Sequence, residues 1–127
     1  MSTKPIADFE VASTGNQRFA GAAFRGHPYV IYFYPKDSTP GCTLEGTQFR
    51  DLHAQFLQAG VMVFGVSRDS VASHEKFKQN MQFPFDLLSD SDERMCAIFD
   101  VIKEKNMYGK KVIGIQRSTF LMGRNNV

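Results

Sequence analysis

At 127 residues and a formal charge of +2, from 15 Lys and Arg against 13 Asp and Glu, the chain suits one hydrophobic core rather than two, and is too nearly neutral to argue for nucleic acid or an anionic membrane as partner. Its longest apolar runs, 29–34 and 61–64, fall far short of the roughly 20 residues that cross a bilayer, and the start, Met1 to Ile6, lacks the apolar stretch of a secretory leader. Two cysteines, Cys42 and Cys96, make no disulfide scaffold, so the expectation is a cytoplasmic protein of a reducing compartment whose cysteines serve chemistry.

In chain order, residues 8–12 alternate weakly between apolar and polar, Gly15-Asn16 supplies a turn, and Arg18-Phe19-Ala20 returns as a hairpin partner. The continuous apolar runs 29–34 and 61–64, the second with Val66 beyond it, suit strands buried on both faces of a parallel sheet. Between them Phe49, Leu52 and Phe56 keep helical spacing, and Gly60 suits the C-terminal cap. Strand, helix and strand make a crossover unit whose active end lies where strand passes into helix.

A second helix is expected over 70–81, with Val71, His74, Phe77 and Met81 inward and Phe83-Pro84 as its stop. Residues 85–88 form a short strand or an extended link. Ser91-Asp92-Glu93 opens a third helix with acid in its first turn, and Met95, Ile98, Phe99 and Ile102 form its apolar stripe. Cys96 then falls about 100° from Met95, on the flank of that stripe. The basic cluster Lys103, Lys105, Lys110 and Lys111 reads as a solvated loop. Residues 115–122 read as the last strand, with Arg117 and Thr119 on one face and Ser118 and Phe120 on the other, before the turn chemistry of Gly123-Arg124-Asn125-Asn126.

The chemistry concentrates in Pro35-Lys36-Asp37-Ser38-Thr39-Pro40-Gly41-Cys42-Thr43. Here a cysteine stands where a strand ends and a helix begins, and the unpaired N–H groups and positive dipole end of a helix start favour thiolate over thiol. Thr39 adds a hydroxyl, and Pro40 and Gly41 tighten the turn and leave little room for water. A small buried hydrophobe is the plainer reading of Cys42, yet its surroundings suit a nucleophile. His27, His53 and His74 show no metal-ligand spacing, His74 reads as a structural histidine, and no phosphate- or dinucleotide-binding motif is present.

The pattern Pro35, Thr39, Cys42 resembles that of the peroxiredoxins. The string Thr39-Pro40-Gly41-Cys42-Thr43-Leu44-Glu45, followed by Phe49-Arg50-Asp51 and, far along, by Gly114-Ile115-Gln116-Arg117-Ser118-Thr119-Phe120-Leu121, is similar to the PrxQ, or bacterioferritin comigratory protein, branch. The resemblance runs from about Ile6 to Met122. It implies an α/β, thioredoxin-like fold, a mixed sheet flanked by helices in one domain over 1–127, which lacks the branch's further C-terminal strand and helix and so leaves a sheet edge and face exposed. It implies a thiol peroxidase without metal or organic cofactor, acting on hydrogen peroxide and organic hydroperoxides. A thioredoxin or glutaredoxin-type donor would reduce it, and a monomer is expected.

By the same resemblance, the Cys42 N–H, the Thr39 hydroxyl and Arg117 hold the peroxide oxygens, Pro35 belongs to the site, and Pro40 shields the sulfenic acid. Read from the residues alone, Arg117 is equally an exposed strand arginine, and Glu45 either favours the helix dipole or holds Arg117. Many members of the branch carry a second cysteine five residues after the first, where this chain has Thr47. Cys96 is then either the resolving cysteine or packing. A redox sensor or interaction module on the same fold, oxidised once without turnover, is the alternative function.

Overall fold

The computed structural model describes residues 9–21, 27–107 and 110–122, with the backbone alone over 105–107 and 110–113. The turn expected at 123–126 and the start of the first strand at Asp8 lie outside these residues. Strands β1 (Glu10–Ser13) and β2 (Gln17–Ala20) form the expected hairpin, with Gly15 and Asn16 at positive φ in its turn. The first long apolar run becomes β3 (Tyr29–Phe33), all of it buried, with Tyr29, Ile31 and Phe33 in one apolar cluster and Val30 and Tyr32 in another. The second becomes β4 (Met62–Ser67), parallel to β3, with Tyr29 opposite Met62 and Phe33 opposite Val66. Covering both faces is what allows such strands to be apolar throughout.

Helix α1 (Pro40–Gln58) crosses between them. Gly60, at φ +76°, ends it: the Gly60 N–H donates to the Leu57 carbonyl and the Val61 N–H to that of Phe56, a paired closure that needs a left-handed residue at this point. Phe49 and Phe56 face the sheet as expected, but Leu52 is exposed, because the inward stripe begins at Cys42 and Gly46 and passes to one side of it. Helix α2 (Val71–Met81) starts at Ser70, whose hydroxyl accepts the Ser73 N–H at 3.2 Å, and stops at Gln82, which takes a left-handed conformation. His74 and Phe77 are its buried residues.

Strand β5 (Leu87–Ser89) runs parallel to β4, and β1 closes antiparallel against it. Among the described residues six strands form one mixed sheet in the order β2-β1-β5-β4-β3-β8, where β8 is Ser118–Met122. The α/β architecture is therefore as expected; three details of the chain's second half differ.

The third helix, α3 (Arg94–Ile98), is shorter than its apolar stripe suggests. Asp100 adopts a left-handed φ of +54° and the Val101 N–H turns back to the Cys96 carbonyl, so Ile102 leaves the helix. The acids at 92 and 93 precede its first turn rather than occupy it, and the buried Asp90 carboxylate accepts the Met95 and Cys96 N–H groups instead, at 2.9 and 2.8 Å. The expected lysine-rich loop is a hairpin, β6 (Ile102–Met107) and β7 (Lys110–Ile115), paired from Ile102↔Ile115 to Met107↔Lys110. Finally, the expected strand 115–122 starts only at Ser118: Ile115 ends β7, and Gln116 and Arg117 link the two strands, so Arg117 sits on no strand face.

Candidate active site

Strand β3 ends at Phe33, and the Tyr34 N–H still bonds the Val66 carbonyl at 3.0 Å, so the chain leaves the sheet edge-on and passes through 35–39 into α1. Thr39 stands at the N-cap with extended dihedrals, and Pro40 takes the first helical position, where its missing N–H is no loss. The Thr39 side chain accepts no helix N–H; its hydroxyl donates to the Lys36 carbonyl at 2.8 Å, which leaves its lone pairs facing outward from that bond. Pro35 is half-buried and Pro40 exposed. Cys42, in the first turn, is 1% exposed and packs in the cluster of Val30, Tyr32, Tyr34, Phe77 and Phe83.

Arg117 arrives at this helix start from the far end of the chain. Strand β8 pairs antiparallel with β3, Ser118 opposite Phe33, so the residue before it stands beside the segment after β3. A Cβ on Gly41 would lie 2.7 Å from the Arg117 Nη2, so the guanidinium lies against the backbone of the residue preceding Cys42, and any side chain there would displace it. Arg117 Nη1 donates to Glu45 Oε1 at 3.4 Å. Burial raises the Glu45 carboxyl above its ordinary value while the Arg117 charge and hydrogen bond pull it back down. Of the residues singled out from the sequence, Pro35, Thr39, Pro40, Cys42, Glu45 and Arg117 thus gather around one helix start.

Cys96 does not join them. It is fully buried, not flanking, in the cluster of Ile31, Phe33, Phe64, Met95 and Phe99, whereas Cys42 belongs to the cluster on the other face of β3. Burial, together with a hydrogen bond to Asp90 and its charge, pushes the Cys96 thiol strongly upward. Both cysteines are free.

Two further residues bear on the site and were not legible as such. Asp37, inside the motif itself, is buried and lies 2.7 Å from His74 of α2. The signal for His74 was its place on the inner face of a helix, but nothing local marks Asp37 as its partner. Among the described residues no group of three or more His, Cys, Asp and Glu is placed to hold a metal ion, and no helix is long and apolar enough to cross a membrane.

A mixed sheet with a cysteine buried at the start of the helix after one of its interior strands, beside a guanidinium, defines a thioredoxin-like domain built for thiol chemistry. The AhpC/TSA family model matches residues 3–127. Peroxiredoxin Bcp of Xanthomonas campestris pv. campestris is 56% identical over 120 residues, covering 93% of this chain and 75% of that protein. Peroxiredoxin Bcp of Bacillus subtilis is 42% identical over 117 residues, 92% and 74% of the two chains. A solved structure of the Xanthomonas campestris bacterioferritin comigratory protein, from work on its alkyl peroxide reduction activity, superposes with a TM-score of 0.87 at 53% identity, covering 92% of this chain and 74% of that one. The chain belongs to the AhpC/TSA family, within its Bcp, or peroxiredoxin Q, branch, and is a thiol-dependent peroxidase. It spans about three quarters of the length of these relatives.

Proposed function

We propose that Cys42 is the peroxidatic residue, acting on hydrogen peroxide and alkyl hydroperoxides. Its thiolate attacks the terminal peroxide oxygen, the S–O bond forms as the O–O bond breaks, and the departing oxygen leaves with the electron pair and takes a proton to become water or an alcohol. Negative charge grows on that oxygen, so fixed donors act most strongly there. The observation that carries this reading is the Arg117 guanidinium with Nη2 against Gly41, one residue from Cys42, and Nη1 donating to Glu45. Arg117 and the helix N–H groups supply the donors, the Thr39 hydroxyl offers an acceptor for the peroxide proton, and Pro35 and Pro40 bound the space.

A one-cysteine cycle fits the placement of Cys96 best. The sheet stands between the two thiols, and a disulfide needs Cα atoms within about 7 Å, so Cys96 serves packing. An external thiol attacks the Cys42 sulfenic acid, giving a mixed disulfide and water, and a second thiol releases the reduced enzyme. With Cys42 1% exposed, a protein thiol reaches it only after the first turn of α1 loosens. A thioredoxin-type dithiol suits this exchange.

The test is steady-state peroxide consumption with a thioredoxin system, comparing the native chain with Cys96→Ser. Both should turn over repeatedly, at rates within about twofold of each other, since the second thiol takes no part. Turnover lost in Cys96→Ser would make Cys96 the resolving residue. A single oxidation without turnover in the native chain would favour the sensor.

A further inference from the structure

The segment 35–39 carries the site, yet Lys36 and Ser38 are exposed, and Ser38 sits at a φ of +62° that a serine adopts only under constraint. Its buried side chain is Asp37. The Asp37 carboxylate receives three donors: Tyr34 Oη on Oδ1 at 2.6 Å, and Ser73 Oγ and His74 Nδ1 on Oδ2 at 2.8 and 2.7 Å. On the other side of the ring, His74 Nε2 donates to the Leu88 carbonyl at 2.9 Å. A carbonyl only accepts, so Nε2 carries a proton, and a further proton lies between Nδ1 and the carboxylate. The backbone N–H of Asp37 is tied as well, donating to Asp69 Oδ2 at 2.9 Å, and Ser67 Oγ holds that same oxygen at 2.6 Å.

The side chains of His74 and Asp37 are 0% and 2% exposed. For stability alone, a buried hydrogen-bonded pair of this kind is commonly no better than apolar side chains of the same size, because desolvation offsets the attraction. What this pair adds is direction. It fixes one residue of the segment 35–39 against α2 and β5 at once. Lys36, the next residue back, offers its carbonyl to the Thr39 hydroxyl, so the anchor at Asp37 also sets where that hydroxyl points.

We propose that Asp37 and His74 are a positioning pair for the peroxide step, holding the segment from Pro35 to Thr39 in the conformation from which Cys42 reacts. This rests on the reading of Cys42 as the peroxidatic thiol. The pair touches no reacting atom. It acts through the Thr39 hydroxyl and the helix start, and its loss should therefore slow reaction with peroxide more than reaction with a reagent that needs only the thiolate.

Two second-order rates separate these effects: oxidation of Cys42 by hydrogen peroxide and its alkylation by iodoacetamide. Because the chain contains no Trp, both are followed by quenched flow and intact mass. The double variant Asp37→Asn/His74→Gln replaces both partners together by neutral amides, so that neither is left buried without the other. A displacement of about an ångström can cost two orders of magnitude, so peroxide oxidation should fall about tenfold or more while alkylation stays within about threefold. If the double variant does not fold, Ser73→Ala, which removes one donor from the same carboxylate, decides by at least a twofold greater loss of the peroxide rate than of the alkylation rate. Peroxide and alkylation rates that fall in equal proportion, or not at all, in a variant that folds overturn the positioning role. A native chain whose Cys42 is not oxidised by peroxide overturns the reading beneath it instead, which the same experiment shows before any variant is compared.

Discussion

Cys42→Ser should bring peroxide consumption down to the uncatalysed background while leaving the fold intact. Serine keeps the shape of the residue in the cluster of Val30, Tyr34, Phe77 and Phe83, so the helix start and its surroundings survive. It replaces the sulfur nucleophile with a hydroxyl that is a far weaker one. Burying a hydroxyl where a thiol packed lowers stability modestly, by about 1–3 kcal/mol. Peroxide consumption per folded molecule, with circular dichroism as the check on folding, measures the two effects separately. Activity near that of the native chain would remove Cys42 from the reaction.

Arg117→Ala should be the next most damaging change at the site. Removing one preplaced donor from a developing oxyanion costs about 10²–10³ in rate, and Arg117 is a cation that the fold brings to the Cys42 helix start from the link just before β8. Its ion pair with Glu45 is 42% and 21% exposed and long at 3.4 Å, so little folding stability is at stake. The rate of Cys42 oxidation should therefore fall about a hundredfold with a nearly unchanged melting temperature. Arg117→Lys should recover only part of the loss, because one ammonium cannot hold Glu45 and a peroxide oxygen in a fixed plane. An alanine variant oxidised as fast as the native chain would make Arg117 a surface residue. A lysine variant as fast as the native chain would mean that it acts by charge alone.

The first half of the chain was readable because its signals are local and agree. Two apolar runs, the helical spacing of Phe49 and Phe56 with Gly60 as the stop of α1, and the spacing of His74 and Phe77 in α2 each state their role without help from distant residues. The second half was less so. The apolar stripe of α3 carries on through Ile102, and only the left-handed turn at Asp100, a residue with no Gly to announce it, breaks the helix. The lysines from 103 to 111 read as loop because charge suggests solvent, although a strand needs only one face covered. Nothing in Gln116 and Arg117 resembles a break, so the last strand reads as starting at Ile115, which ends β7, rather than at Ser118, where β8 begins.

At the site, helical arithmetic put Cys96 on a flank, but it is fully buried in a cluster drawn from several strands, and no single-helix argument contains the sheet it packs against. The partnership of Asp37 with His74 joins residues 37 positions apart, and an aspartate between lysine and serine looks solvated until α2 is laid across it. The Arg117 placement was legible only through resemblance; its physical cause is the register of β8 on β3.

The most direct measurement is the intact mass of the fully reduced protein after one equivalent of hydrogen peroxide, with the oxidised residue located by peptide mapping. One added oxygen on Cys42, removed by a thiol donor and absent from Cys42→Ser, is the predicted result. Oxidation that bypasses Cys42, or none within the time a thiol peroxidase needs, would contradict the account.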